Sequence, residues 1–433
     1  MEEKNSEKKE RKMRDSGIPW IGEVPEKWKV MKIGHCFRLK NEKNFLPENK
    51  VQLLSLYTGI GVFPTNSEKA KTSGNHAQTV NGYKIVHKND IVVNIILAWM
   101  GSIGVSDYDG VVSPAYDVYT PDLSKVIPRY AHYVFRTDGI AGECLKYGRG
   151  IMMMRWRTYS PEFKQIKIPF PSLKEQHRIA DFLDSKCSEI DALIENLRAR
   201  VESAKEYKKA VITEAVTKGL DKDAKMKDSG VEWIGEIPEG WKVVRFKHIA
   251  SIKSNLVQPD KYMKYPQIAP DNIEKDTGRL LSHQTVEESG VISGNHLFYR
   301  GQILYSKIRP NLNKLTVAPF DGLCSADMYP IESKLPTLFM VYSMLSTYFV
   351  SQVSLIIQDR VKMPKINQEE LGEIKVAVPS QQEMLTIADY LDSKCSEIDA
   401  LLQNYEYQIA TLEEYKKSLI YEYVTGKKEV PEA

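Results

Sequence analysis

Two stretches of the chain space their apolar residues alternately four and three apart. The first picks out Leu183, Cys187, Ile190, Ile194, Leu197, Val201, Ala204, Lys208 and Val211. The second picks out Leu391, Cys395, Ile398, Leu402, Tyr405, Ile409, Leu412, Lys416 and Leu419. This spacing lays one stripe along an α-helix and is the pattern of a coiled-coil seam. A lysine breaks each stripe at the same place. Two amphipathic helices packing on separate domains would show a similar stripe, but mutual packing is favoured because each helix supplies the surface the other lacks. From 183 to 211 the seam extends about 42 Å at 1.5 Å per residue. That is of the order of one turn of B-DNA, ~34–36 Å. An antiparallel pair would set the flanking domains at opposite ends about a pseudo-twofold axis, as a ruler with two heads.

The same sequence is written twice. Asp15-Ser16-Gly17-Ile18-Pro19-Trp20-Ile21-Gly22-Glu23-Val24-Pro25 through Trp28 recurs as Asp228-Ser229-Gly230 through Trp233-Ile234-Gly235-Glu236-Ile237-Pro238 and Trp241, and Asp184–Leu193 is identical to Asp392–Leu401. Asp109-Gly110…Ser113 returns more weakly as Asp321-Gly322…Ser325. Between the repeats lie strand-like runs, such as Tyr83–Val93 and Gln302–Ile308, separated by Gly, Asn and Pro turns. Ile91–Val105 reads as strands around a turn. The expected organisation is a disordered charged tail (1–14), a globular domain (15–171), a helix (172–217), a short linker (218–227), a second domain (228–379), a second helix (380–425) and a tail (426–433). Trp20, Trp28, Trp233 and Trp241 are expected to anchor the two openings.

Length and charge narrow the class only a little. At roughly 150 residues per domain, 433 residues suit two or three domains. A formal charge of +3 gives no polyanion signal by itself, but its distribution does. Residues 15–164 carry a basic surplus, 228–375 are balanced, and 376–433 are acidic. No apolar run reaches the ~18 residues of a membrane span, and the N-terminus has no apolar core of a secretory signal, so a cytoplasmic protein is expected. The five cysteines form neither a disulfide framework nor a ligand cluster. Cys187 and Cys395 sit on the seams as small hydrophobes.

Catalytic signatures are missing. There is no phosphate-cradling GxxxxGK[ST] or GxGxxG, no HExxH, and no Asn/Asp-Pro-Pro-aromatic motif for methyl transfer. Ser73-Gly74-Asn75-His76 and Ser293-Gly294-Asn295-His296 read as turn signals. Recognition chemistry remains. Lys307, Arg309, Asn311 and Lys314 lie in one turn-rich stretch, Arg360 and Lys362 in another, and Lys146, Arg149, Arg155 and Arg157 in a basic loop with aromatics. Arginine can grip guanine and asparagine adenine, while lysine neutralises phosphate. Met152-Met153-Met154 is expected to pack beneath that loop as adaptable core.

The duplicated openings and the passages Pro169-Phe170-Pro171-Ser172-Leu173-Lys174-Glu175-Gln176 and Pro379-Ser380-Gln381-Gln382-Glu383 resemble the specificity subunit of type I restriction-modification enzymes. Pro171-x-x-x-Glu175-Gln176 fits the motif; the second copy departs with Glu383-Met384. The resemblance implies an α+β chain of two tandem α/β target recognition domains, each followed by a long helix, the helices forming an antiparallel coiled coil. It implies a non-catalytic subunit that reads one half of a split, asymmetric site in double-stranded DNA with each domain. Methyltransferase subunits, two of them, would dock on the helices, and restriction subunits would join that assembly. No cofactor is expected on this chain; S-adenosylmethionine, ATP and Mg²⁺ belong to the partners. A coiled-coil scaffold without DNA function is the alternative, supported by the near-neutral charge.

Overall fold

The computed structural model describes residues 11–65, 80–151, 156–360 and 362–431. It is mixed α/β, with two long helices, Leu173–Lys218 and Gln381–Val424. The chain divides into two compact units, residues 1–196 with 408–433, and residues 197–407. The division falls inside both long helices, so each unit holds one segment of each.

In the first unit an antiparallel sheet has the order Phe37–Lys40, Tyr116–Pro121, Ile91–Asn94, Ile103–Val105. The second unit repeats that order with Ala250–Ile252, Met328–Ser333, Ile303–Ser306 and Leu315–Val317. A further ladder also repeats in register: Gly110 opposes Val86, and Gly322 opposes Phe298. The Asp-Gly repeat has its reason here. Asp109 accepts from the Lys88 amide at 3.0 Å, and Asp321 from the Arg300 amide at 2.8 Å. A Cβ on Gly322 would lie 2.7 Å from the Pro266 carbonyl oxygen, and one on Gly110 2.4 Å from that of Gln52, so only glycine fits.

The opening motif is a pair of side-chain turns. Gly17 N–H donates to Asp15 Oδ1 and Ile18 N–H to Ser16 Oγ, and Gly230 and Val231 do the same with Asp228 and Ser229. Each opening then reaches the start of a long helix. Trp28 Nε1 donates to Glu175 at 3.1 Å, and Trp241 Nε1 to Glu383 at 3.3 Å. Both glutamates also donate their amides to a serine three residues earlier, Ser172 or Ser380, as in a capping box. Burial alone would raise the Glu383 pKa, but hydrogen bonds from Ser380 and Trp241 pull it below the usual value. Trp28 and Trp241 are buried, as an anchoring role requires, whereas Trp233 is 42% exposed.

Gln176 is wholly buried and hydrogen-bonded at both ends of its amide. Its Oε1 accepts from the Ile127 amide, and its Nε2 donates to the Lys125 and Pro171 carbonyls. Ile127 precedes the helix Pro128–Val134; the matching residue before Thr337–Leu345 is Pro336, which has no N–H. The second copy therefore has no amide to satisfy there, and the apolar Met384 takes its place in the core.

Seam residues are buried or half-buried along both helices while the other faces are exposed. In the first unit Phe182 stacks on Tyr423 with ring centroids 4.5 Å apart, and Lys416 pairs with Asp191. The first helix thus climbs as the second descends. In the second unit Lys208 pairs with Asp399. Cys187 and Cys395 are buried, and burial pushes the Cys395 thiol up to about 11, which makes it a poor nucleophile.

Two expectations are corrected. Residues 11–14 are not a disordered tail: Met13–Asp15 pairs with Glu23–Pro25, and Arg11 pairs with Glu175 and stands over the Trp28 ring. Ser293–His296 is a turn only in its first half: the chain bends at Ser293, and Asn295 and His296 already belong to the strand Asn295–Phe298. Ser73–His76 and Met152–Arg155 lie outside the described residues. Among the described residues no single helix is long and apolar enough to cross a membrane.

Candidate nucleic-acid interface

In the second unit the turn after Ile303–Ser306 is held open by backbone geometry. Arg309 and Asn313 adopt left-handed conformations (φ 44° and 43°) on either side of a single turn, Pro310–Leu312. For side chains this conformation costs about 1 kcal/mol or more unless the surroundings enforce it. They do. Ser306 Oγ donates to the Ile308 carbonyl, and buried Asn313 donates to the Met344 carbonyl at 3.1 Å. Lys314 donates to the Pro270 carbonyl at 2.8 Å.

The second basic stretch docks on this turn. Arg309 N–H donates to the Pro364 carbonyl, and Ile366 N–H to the Lys307 carbonyl. Six candidate residues thus fall into two groups. Arg309, Asn311 and Lys362 are exposed around the docked strips, and half-buried Lys307 stands over the Tyr329 ring. Lys314 and Arg360 are committed to the fold instead. Arg360 grips both carboxylate oxygens of Glu370, and that pairing raises its already high pKa while lowering that of Glu370.

The first unit builds its equivalent differently. Arg149 and Arg157 exchange two backbone hydrogen bonds and close the neck of the loop between them. The neck is tied to the sheet, since Thr158 N–H donates to the Ile95 carbonyl and Thr158 Oγ1 to the Cys144 carbonyl. Arg149 pairs with Glu162 at 2.6 Å and Lys146 with Glu143 at 3.5 Å, and Arg157 also has a partner. Arg155 lies outside the described residues.

Sequence reasoning missed the counterpart of the Arg309 turn. It is the single turn Ala98–Met100, capped by left-handed Gly101 where the second unit has Asn313. Leu97 and Met100 are exposed there, and Trp99 Nε1 donates to the Ile96 carbonyl. The 212-residue offset of the Asp-Gly repeat lays 94–102 on 306–314 and could have revealed it. One scaffold position therefore carries apolar side chains in one unit and basic and amide side chains in the other. Apolar groups suit a thymine methyl, and Arg and Asn suit purine edges.

Residues 25–203 match the family model described as the type I restriction modification DNA specificity domain. The chain is 29% identical over 401 residues to the type I restriction enzyme EcoDI specificity subunit of Escherichia coli, covering 88% of this chain and 85% of that one. It is 26% identical over 434 residues to the MjaVIII specificity subunit of Methanocaldococcus jannaschii, covering 93% of each. A solved chain from a study of complex assembly and conformational transition in a type I R-M system shares the fold, with a TM-score of 0.68 at 14% identity, over 94% of this chain and 99% of that one. The resemblance carried by the duplicated motifs is thereby shown.

Proposed function

We propose that this chain, a relative of type I specificity subunits over nearly its whole length, is the non-catalytic DNA-reading subunit of such a complex. Each domain reads one half of a split site. The observation that carries this reading is the duplicated scaffold with different tips: Leu97, Trp99 and Met100 in one unit, and Lys307, Arg309 and Asn311 in the other. A protein that binds two unlike half-sites needs one frame and two reading surfaces. A scaffold with no DNA role gives no reason for the tips to diverge while the frame repeats.

The partner reading also has support. Leu193 and Tyr415 flank the Asp191–Lys416 contact in the first unit, and Leu401 and Tyr207 flank Asp399–Lys208 in the second; all four are exposed. Two matching apolar patches suit two copies of one partner, the methyltransferase subunit. Restriction subunits join that assembly in the cytoplasm, and S-adenosylmethionine, ATP and Mg²⁺ act on the partners. The test is binding of duplex DNA by the chain co-purified with its methyltransferase subunit. Sequence-selective binding that weakens steeply with salt is expected. Binding that ignores sequence would overturn the proposal.

A further inference from the structure

The Ser293–His296 motif has no place in the reading turn, yet it delivers polar groups beside it. Through the shared ladder register, His296 stands where the first unit has Lys84, and Tyr329 where it has Asp117. In the first unit these positions close on each other: Lys84 Nζ donates to Asp117 Oδ1 at 2.7 Å. In the second unit they do not. His296 Nδ1 is buried without a hydrogen-bond partner, on a residue 8% exposed. Lys307 lies 5.3 Å over the Tyr329 ring and, among the described residues, pairs with no carboxylate.

A buried polar atom left unpaired costs roughly 1–3 kcal/mol. At His296, where the sister domain spends Lys84 on an ion pair, the unpaired atom marks a place for an outside partner. Resting on the DNA reading above, we propose that His296 and Lys307 receive a base edge of the second domain's half-site, and that His296 determines which base is preferred there. A neutral imidazole offers one donor and one acceptor, and the lysine donates. Together they match the mixed pattern of a purine edge in the major groove, with Lys307 suited to guanine N7 and O6. Burial, and then the nearby Lys307 charge, push the His296 pKa below its usual value, so the ring is neutral at neutral pH.

The test uses the full chain with its methyltransferase subunit on a DNA library holding every single-base variant of the site it methylates. His296→Phe and His296→Gln are expected to change the preference at one position of one half-site by about tenfold, the effect of ~1.4 kcal/mol, with the other half-site unchanged. Lys84→Met is expected to lower the melting temperature and leave every base preference in place. Folded His296 variants with wild-type preferences at all positions would overturn the role of this cluster alone. A wild-type chain that confers no split motif would overturn the DNA reading itself.

Discussion

Lys208 on the first long helix donates to both carboxylate oxygens of Asp399 on the second, at 2.6 and 2.7 Å. The duplication repeats the contact in the other unit, where Lys416 donates to Asp191 at 2.6 and 2.7 Å. The lysine that interrupts each apolar stripe is therefore a cross-helix partner. Its side chain is 12% exposed at Lys208, while that of Asp399 is 50% exposed, so removing the acid strands a largely covered ammonium. Asp399→Ala should cost roughly 1–3 kcal/mol, and Lys208→Met clearly less, because methionine leaves no buried charge behind. Thermal unfolding of the two variants decides this. Equal losses would show that the pair contributes only packing.

Gln176 and Met384 occupy equivalent places and should not be interchangeable. Gln176→Met removes the partner of the half-buried Ile127 N–H and of the Lys125 and Pro171 carbonyls, and Met384→Gln buries an amide opposite Pro336. Each should destabilise the chain by about 1–3 kcal/mol. An unchanged melting temperature in either variant contradicts the hydrogen-bond account.

His132 predicts a pH dependence. Burial, and then the Arg136 charge, lower its pKa from 6.5 to about 3. Between those values the unfolded chain binds a proton that the folded one refuses, so stability falls as pH drops below 6.5 and does so down to about 3. The slope should approach ~1.4 kcal/mol per pH unit. His132→Gln should flatten that part of the stability profile; an identical profile would assign the effect to other groups.

The two groups of basic residues separate on salt. Lys362→Ala and Arg309→Ala should weaken DNA binding, and the salt slope should shrink by ~1 for each phosphate left without its cation. Arg360→Ala removes the clamp on Glu370 and should lower stability, with DNA binding falling only through the fold. Salt titrations beside melting curves distinguish them, and a reduced slope for Arg360→Ala at unchanged stability would contradict the division.

Much of this was legible in the chain because it depends on local spacing. The seam follows from helical period, the Asp-Ser-Gly turns from side chains that bond two residues on, and the repeat of the frame from sequence identity. What stayed hidden depends on strands distant in sequence. Lys40 pairs with Asp90, whereas its counterpart Lys253 pairs with Glu332. The carboxylate has moved from just before the strand two places away to the adjacent strand, since Gln302 stands at the Asp90 position and Thr120 at that of Glu332. Likewise, Arg360 and Arg309 look alike as residues in basic loops, and only the Glu370 contact separates them.

Inserting one heptad into each long helix should lengthen the unread spacer while both half-site sequences persist. An altered half-site with an unchanged spacer would contradict the role of the helices as a gauge.

The most direct test of the central claim is base-resolution mapping of adenine methylation in cells with and without this chain, in the presence of an active methyltransferase partner. The account predicts that removing the chain abolishes methylation at a single motif, two short specific blocks around a fixed unspecified spacer. A methylation map unchanged by its removal would contradict it.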